Sequence, residues 1–470
     1  MQLVLSSPPV AARLAWRVTR LEWAAQGGPR RAWMQAELPP ALSALGADLC
    51  DRMLGKPLSV IDADGAPCWW GYVHAVTSRA DGLAQRLSLD GLANRAAALY
   101  PTVDGWTQTA WAQDDLSLER WGLRDRLLRQ PGGGLAEAEA ARNALLAQSA
   151  QPHWTAAAGI DQSDGTLTLE ARGWWEQLDW SHYAPVGGRA EHALSGGVSQ
   201  PVGAQTANTR VAQSFRLDGE SWPVGEIWLR VGKRGNPSDG LRLELCADSG
   251  GAPGTVLTSA EVDAAALPFT PGWVRFALAG PMLSADTPYW LVLSRAGGLD
   301  AANYFTAQLS EELSYPGGEC RLWDGGTWSL RQPPADLGFR VEGSQSAAEL
   351  IAALAALHPD LNGLRLDAPL EQPVLRWRDG RSTLLAELQA ALAAAGCLAE
   401  VEADRALRVR PVEPQGSAFA ATLRGGEIVD GHGRPWAAAR ALAGRWVRVG
   451  AAALWVEKLV WEEGGLRVEM

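Results

Sequence analysis

A chain of 470 residues exceeds what one hydrophobic core usually supports, so we expect several domains. Its 47% hydrophobic and 20% charged residues are typical of folded globular proteins and exclude a disordered chain. The formal net charge of -11 argues against nucleic acid or an anionic membrane surface as a partner. The most apolar stretch, residues 347–357, is too short to span a bilayer, so no membrane insertion is expected.

Residues 1–105 are predicted to form mostly β structure, with six or so short strands closing into a small barrel. An Asp-Gly turn at residues 62–65 joins two of these strands as a hairpin. The clearest strands by alternation or β-branched content are 14–18, 31–38, 58–61, 68–73 and 87–92.

Residues 106–185 are predicted to form an α+β element. Apolar residues recur at helical spacing across residues 135–148, after a run of glycines at 132–134. The glycine run lacks a following Lys, Ser or Thr, so a hinge is favoured over a phosphate-binding loop. A strand at 166–171 leads into a tryptophan-rich stretch at 174–180, and the Gly-, Ser- and Ala-rich residues 186–205 are predicted to be a linker.

Residues 206–343 contain strand after strand between turns rich in Gly, Pro and Asp, which predicts a jelly-roll-like β-sandwich. The predicted strands are 211–215, 226–231, 241–246, 255–260, 273–278, 289–294 and 338–341.

Residues 344–470 are predicted to form a final α+β domain. Ser344 or Ser346 is expected to cap a helix at 347–357. Ser382 or Thr383 is expected to cap a second helix at 384–395. A hairpin is predicted from 398–401 and 406–412, followed by strands at 445–449, 454–460 and 466–469.

Residues that could carry catalysis or bind a metal form no convincing pattern. The six histidines are scattered singly, and the five cysteines form no CxxC pair, so we predict free buried thiols and no metal or cofactor. Glu176 and Asp179 lie among tryptophans, as a glycosidase pair would, but their short spacing favours structural packing. We therefore predict no catalytic residues and no enzymatic activity.

Three stretches of the predicted sandwich share features with a known family. They are QSF at 213–215, DSGGAPG at 248–254 and YWLVL at 289–293, in that order along the chain. These features resemble the choice-of-anchor R type of β-sandwich, which occurs in bacterial surface proteins and phage tail proteins. The resemblance covers about 135 residues and implies a fold similar to carbohydrate-binding jelly rolls.

The remaining sequence resembles a second family. Residues 69–73 follow the pattern W-x-G-x-V, residues 89–94 follow L-x-G-x-x-N, and residues 171–180 and 381–385 add similar elements. These patterns resemble tail hub and baseplate proteins of long-tailed phages, in which a β-barrel joins a trimeric ring. Simple hubs lack a sandwich insert, and hub residues act in assembly and not in catalysis.

Together the resemblances imply a virion structural protein of a phage or phage-like tail tip, with an insert that contacts the host surface. The expected partners are copies of the chain in a homotrimer, a distal tail ring, a tape measure and a host glycan. Residues 1–10 show no secretory signal, so assembly in the host cytoplasm is expected. The alternatives are a carbohydrate-binding adhesin, and a glycan-degrading enzyme with a binding module.

Tryptophan is unusually common, with 23 residues against 6 Tyr and 6 Phe. We predict Tyr304, Trp323 and Trp328 as host-contact residues, because the turn at 324–327 would expose two rings that can stack on a sugar. The alternative is that both rings pack on the sandwich edge. The adjacent Trp69 and Trp70 point to opposite faces of a strand, so one is expected in the core and the other against a neighbouring subunit.

Overall fold

A computed structural model describes residues 1–5, 11, 13–39, 46–63, 65–80, 83–102, 105–156, 165–182, 187–194, 197–278, 280–311, 314–378, 380–414, 419–424, 427–429, 443–449, 452–462 and 465–469. The fold is mainly β and has more than one domain, which confirms the predicted class. Unit 1 comprises Met1–Tyr183, Ile351–Leu370 and Gly380–Met470, and unit 2 comprises Ala184–Leu350 and Glu371–Asp379.

The strands fall into three groups along the chain. The first group is β1 (Gln2–Leu5), β2 (Arg17–Ala24), β3 (Gly28–Glu37), β4 (Pro57–Ile61), β5 (Pro67–Ala80), β6 (Leu83–Ser88), β7 (Arg95–Thr102), β8 (Gly105–Gln108), β9 (Ala112–Gln113), β10 (Asp125–Arg129), β11 (His153–Ala156) and β12 (Thr166–Gly173). The second is β13 (Arg189–His192), β14 (Val198–Val202), β15 (Arg210–Phe215), β16 (Trp222–Arg234), β17 (Gly240–Asp248), β18 (Pro253–Asp263), β19 (Gly272–Ala277), β20 (Met282–Leu283), β21 (Tyr289–Arg295), β22 (Tyr304–Leu309), β23 (Cys320–Trp323), β24 (Trp328–Leu330) and β25 (Phe339–Ser346). The third is β26 (Leu364–Leu366), β27 (Pro373–Leu375), β28 (Cys397–Val401), β29 (Leu407–Pro411), β30 (Phe419–Arg424), β31 (Glu427–Val429), β32 (Trp446–Val449), β33 (Ala452–Trp455), β34 (Lys458–Glu462) and β35 (Gly465–Glu469).

The described α-helices are α1 (Gly46–Met53), α2 (Asp115–Trp121), α3 (Leu135–Ser149), α4 (Ala347–Ala356) and α5 (Leu384–Ala394). The last two carry capping residues where the sequence predicts them. The Ser346 hydroxyl accepts a hydrogen bond from the Glu349 N–H at 3.2 Å, and the Thr383 hydroxyl caps α5. None of the described helices is both long and apolar enough to cross a bilayer.

Unit 1 is built on a sheet of ten strands. Its order is β1-β4-β5-β12-β3-β2-β34-β35, and β6 pairs with both β5 and β11. The mainly β character predicted for residues 1–105 is present, and the strands of this region share their sheet with strands from elsewhere in the chain. Closure into a small barrel stays a prediction. Strand β12, which lies beyond the predicted boundary at residue 105, pairs antiparallel with β3 on one side and with β5 on the other.

Trp69 and Trp70 of β5 are both buried inside their own chain. The Trp69 indole donates to the Glu22 carbonyl at 3.3 Å, and the Trp70 indole donates to the Val401 carbonyl at 2.8 Å. The expectation that one of these rings faces a neighbouring subunit is therefore wrong. The alternation of a strand places side chains on two faces, but both faces of β5 are covered by unit 1 itself.

Unit 2 is a β-sandwich of two sheets. One sheet runs β13-β25-β16-β22-β14, with β19 and β20 on β16 and β27 on β25. The other runs β18-β17-β21-β15-β23-β24. Alternate residues of each strand point inward, so Val211 and Phe215 of β15 and Leu291 of β21 join one large buried core.

The segment 186–205, predicted to be a linker, contributes strands β13 and β14 to unit 2. Strand β13 pairs with β25, and β14 pairs with β22. These pairs are joined by backbone hydrogen bonds, which do not depend on the identity of the side chains. Composition therefore misled the prediction, because a short edge strand needs few apolar side chains. Residues 344–350 and 371–379, predicted to lie in the C-terminal domain, also belong to unit 2.

The close approach of β5 and β12 at Gly71 gives a test of the sheet order. A Cβ added to Gly71 would lie 2.0 Å from the Arg172 carbonyl oxygen, so Gly71→Ala must force the two strands apart. We expect a loss of about 3 kcal/mol or more of unfolding free energy, measured by chemical denaturation.

Gly132→Ala is the matched control for this substitution. A Cβ at Gly132 meets no atom within 4 Å. The unfolding free energy of Gly132→Ala should therefore stay within about 0.5 kcal/mol of that of the original chain. Equal stability of the two variants would contradict the pairing of β12 with β5.

Candidate functional site

Trp323 and Trp328 face each other across the β23–β24 hairpin. Their ring centroids are 5.3 Å apart with an interplanar angle of 52°, and the two residues are register partners. The Asp324 carboxylate accepts hydrogen bonds from the Gly326 and Thr327 amides, both at 2.8 Å, which closes the turn. The predicted aromatic pair is thus present as a geometric unit at one end of the six-stranded sheet.

Trp328 is half-buried because it packs on the outer face of that sheet. The residues beneath it form a small second cluster of Ala212, Cys246, Trp290 and Val292, all buried. This placement favours packing as the role of Trp328, the alternative that the sequence left open. A ligand contact by the exposed parts of Trp323 and Trp328 stays a prediction.

Tyr304 lies in the other sheet of the sandwich. It begins β22 and pairs with Arg234 of β16, and its side chain is half-buried. Tyr304 and the tryptophan pair are therefore elements of different sheets, although the sequence grouped them in one candidate site.

A cleft of about 680 Å³ opens where the three family-like stretches of unit 2 meet. Ser214 comes from QSF, Asp248 and Gly251 from DSGGAPG, and Trp290 from YWLVL. The rest of the lining is supplied by Arg216, Pro288 and the segment Pro316, Gly317, Gly318 and Glu319. The first and third of these stretches, which lie more than 70 residues apart in the sequence, thus contribute to one concave surface.

Hydrogen bonds hold this cleft in shape. The Trp290 indole donates to one Asp248 carboxylate oxygen at 2.8 Å, and the Gly251 amide donates to the other at 3.0 Å. The Ser214 hydroxyl accepts from the Glu319 amide at 2.8 Å. The cleft is therefore preformed, and the carboxylate of Asp248 is already engaged by the protein.

A second polar cluster holds the QSF stretch at 213–215 in place on the side away from the cleft. The fully buried Gln213 donates to the Asp336 carboxylate at 3.2 Å and accepts from the Leu337 amide at 2.8 Å. Asp336 in turn accepts from the backbone amides of Ser314 and Tyr315. Gln213 therefore has a structural role, since its amide satisfies polar groups that burial would otherwise leave unpaired.

Two side chains of the cleft are available to a ligand. Arg216 is exposed, and within the described residues its side chain donates only to the Asp286 carbonyl, at 3.2 Å. Glu319 is partly exposed and pairs with Arg321 at 2.6 Å, while Arg321 lies over the ring of Trp290. A guanidinium and a carboxylate with spare hydrogen-bonding capacity suit a neutral ligand rich in hydroxyl groups.

The sequence did not identify Arg216 or Glu319. The Pro-Gly-Gly run at 316–318 could have indicated this part of the site. Like the glycine-rich turn at 250–251, it leaves the backbone accessible beside polar side chains. Proximity of the two turns depends on the pairing of β15 with both β21 and β23. That pairing was not predictable from local pattern.

The residues considered for catalysis have structural partners. Glu176 pairs with Arg172 at 3.2 Å, and Asp179 accepts from the Thr383 hydroxyl at 2.8 Å. All five cysteines are buried and unpaired, as predicted, and burial raises the pKa of Cys68 and Cys246 to about 11. The described residues contain no group of three or more His, Cys, Asp or Glu placed to hold a metal ion.

Comparison with models of known protein families and with curated proteins gives no match. Among solved structures, a glycoside hydrolase family 43 arabinoxylan arabinofuranohydrolase from Bacillus subtilis is 12% identical, covering 59% of this chain and 63% of its own, with a TM-score of 0.16. The VP2 subviral particle of infectious bursal disease virus is 12% identical over 72% and 79%, with a TM-score of 0.16. The mosquito-larvicidal Cry4Aa toxin from Bacillus thuringiensis is 7% identical over 64% and 52%, with a TM-score of 0.17. At these scores, none of the likenesses supports an argument about function.

The packing of Trp328 can be tested by truncation. Trp328→Ala removes the ring that covers the outer cluster, so we expect unit 2 to lose about 2–3 kcal/mol of unfolding free energy. Calorimetry with purified full-length chain measures the change.

Leu330→Ala is the control on the same strand, because Leu330 is 49% exposed and should cost less than about 1 kcal/mol. If Trp328→Ala were no more destabilising than Leu330→Ala, the ring would be free of packing and available for contact.

Proposed function

We propose that the protein is a non-enzymatic structural subunit of a phage-type tail tip, in which unit 1 is the assembly body and unit 2 is the module that contacts the host surface. The observation that carries the proposal is the meeting of the hub-like stretches in unit 1. Asp90 of 89–94 and Arg172 of 171–180, far apart in sequence, share one polar network with His74, which directly follows 69–73.

Asp90 is the centre of that network. Its carboxylate receives His74 Nε2 at 2.8 Å and the guanidinium groups of Arg86 and Arg172, each at 3.3 Å. The hydrogen bond from His74 is the main reason why the pKa of Asp90 lies well below its usual range. Every charge-bearing member of the network is matched by a neighbour, which is an arrangement suited to holding strands together.

Asn94, the last residue of the L-x-G-x-x-N pattern, joins two chain segments. Its side chain donates to the Gly122 carbonyl at 2.7 Å and accepts from the Arg124 amide at 2.8 Å. Asn94 is fully buried, so these bonds satisfy backbone groups that would otherwise be left without partners. This supports an architectural reading of the hub-like pattern.

The same proposal includes the partners that the resemblance implies. The body is a homotrimer that joins a distal tail ring and a tape measure, through surfaces other than the buried Trp69 and Trp70. Unit 2 contacts a host saccharide, and the polar, preformed cleft with Arg216 and Glu319 is the observation that favours this ligand over an apolar one.

Electron microscopy tests the location. Antibody raised against the full-length chain should label the distal end of the tail in purified particles, and native mass spectrometry of the assembled tip should show three copies. Label along the tail tube or on the capsid, or particles without any of this protein, would overturn the proposal.

Adsorption tests the cleft. Particles carrying Arg216→Ala should adsorb to cells at least about threefold more slowly, because an exposed donor to the ligand is lost while Ser214, Asp248 and Trp290 keep their bonds. The number of particles and the tail length should stay unchanged.

Arg234→Ala is the control for adsorption, since Arg234 is an exposed arginine at the end of β16, in the sheet that does not carry the cleft. Equal adsorption by the two variants would mean that the cleft does not contact the host. The location at the tail tip would then be tested by microscopy alone.

A further inference from the structure

A second cavity lies within unit 1, with a volume of about 260 Å³. Its walls come from His74 at the middle of β5, the 89–92 turn, the start of β10, Arg172 of β12 and the turn at Asp179 and Trp180. Three of these residues, His74, Asp90 and Arg172, belong to the polar network described above. Arg124 does not belong to it.

Arg124 is a buried cation without an anionic partner. The residue is only 5% exposed, and its guanidinium carbon lies 2.7 Å from the centre of the Trp180 ring. Its one side-chain hydrogen bond within the described residues goes to the Leu123 carbonyl at 3.4 Å, and it forms no ion pair with them. Burial lowers the pKa of Arg124 to about 9, although the charge of Asp360 opposes the shift.

Two further buried polar atoms close to Arg124 have no partner in the described part of the chain. They are the Tyr72 hydroxyl and His74 Nδ1, on residues that are 1% and 4% exposed. The Tyr72 ring packs edge-on against Trp180, the same ring that carries the Arg124 guanidinium, with centroids 4.8 Å apart. Buried polar atoms nearly always have partners, so a cluster of them beside a cavity indicates an occupant.

The carboxylates around the cavity are already occupied. Asp125 receives both Arg95 nitrogens at 2.7 Å, and Asp90 receives His74, Arg86 and Arg172. Asp179 accepts the Thr383 hydroxyl. Arg126, by contrast, is exposed and forms no ion pair within the described residues. The formal charges of the lining balance, with three arginines against three aspartates, but Arg124 and Arg126 form no ion pair within the described residues.

We propose that this cavity binds a small oxyanion, a carboxylate or a phosphate group, with Arg124 at its buried end and Arg126 at its open end. A planar guanidinium presents paired N–H donors that match two oxygens of such a group. The Tyr72 hydroxyl is a further donor near that end. A cation would meet two unpaired guanidinium groups, and an apolar ligand would leave all of these donors without partners.

Binding is measured on the purified full-length chain, and it does not depend on the proposed role in a tail. Sodium acetate and sodium phosphate are titrated by calorimetry against sodium chloride at the same ionic strength. At least one of the two oxyanions should bind saturably where chloride does not, and comparison of acetate with phosphate tells which group the cavity takes. In the nitrogen NMR spectrum, the Arg124 Nε signal should move with the same saturation curve.

Substitutions locate the site. Arg124→Met should weaken binding at least tenfold, because it removes a buried charge-assisted hydrogen bond. Arg126→Gln should weaken binding about twofold to fivefold, since its charge is exposed and screened. Arg30→Gln, an exposed arginine of β3 outside the cavity wall, should bind as the original chain does.

The inference is overturned if neither oxyanion binds more tightly than chloride, which would mean that water satisfies the buried donors. It is also overturned if binding survives Arg124→Met in a folded variant. Should Arg124→Met fail to fold, the Nε signal of the original chain and the Arg126→Gln titration decide the question, and an unmoved signal counts against the site.

Discussion

Unit 1 depends on the pairing of one strand with two neighbours that are distant in sequence. Strand β12 (Thr166–Gly173) lies between β3 and β5, and its Leu167, Leu169 and Ala171 are fully buried. Without it the sheet would separate into two smaller sheets, one containing β5 and the other containing β3. The same strand carries Arg172 to Asp90, so the polar network exists only because the sheet has this order.

The two units use their characteristic stretches in a similar way. In unit 2, three stretches that the sequence singled out line one cleft, and in unit 1 residues of 89–94 and 171–180 line one cavity. Gln213 in unit 2 and Asn94 in unit 1 are both fully buried amides that fasten a loop to a strand. A recognisable sequence pattern in this chain therefore indicates mainly a position where the fold requires a specific residue. The concave surface lies beside that position.

Features encoded locally were predictable from the sequence, and features made by distant pairing were not. The hairpin at 62–65 and the helices capped by Ser346 and Thr383 follow from a few adjacent residues. The insertion of β12, the strands within 186–205 and the complete burial of Trp70 all depend on partners more than 90 residues away. The candidate site divides in the same way, since the tryptophan hairpin is local whereas Arg216 and Glu319 meet through the sheet.

The outer position of β34 has a consequence for how the chain is made. Strand β2 (Arg17–Ala24) pairs on one side with β3 and on the other with β34, which lies more than 430 residues later. At a usual rate of synthesis, that edge stays open on the ribosome for on the order of tens of seconds. An open edge of this kind is a template for wrong strand pairing between nascent chains. Residues 458–462 and 465–469 therefore cover this edge only once they have been synthesised.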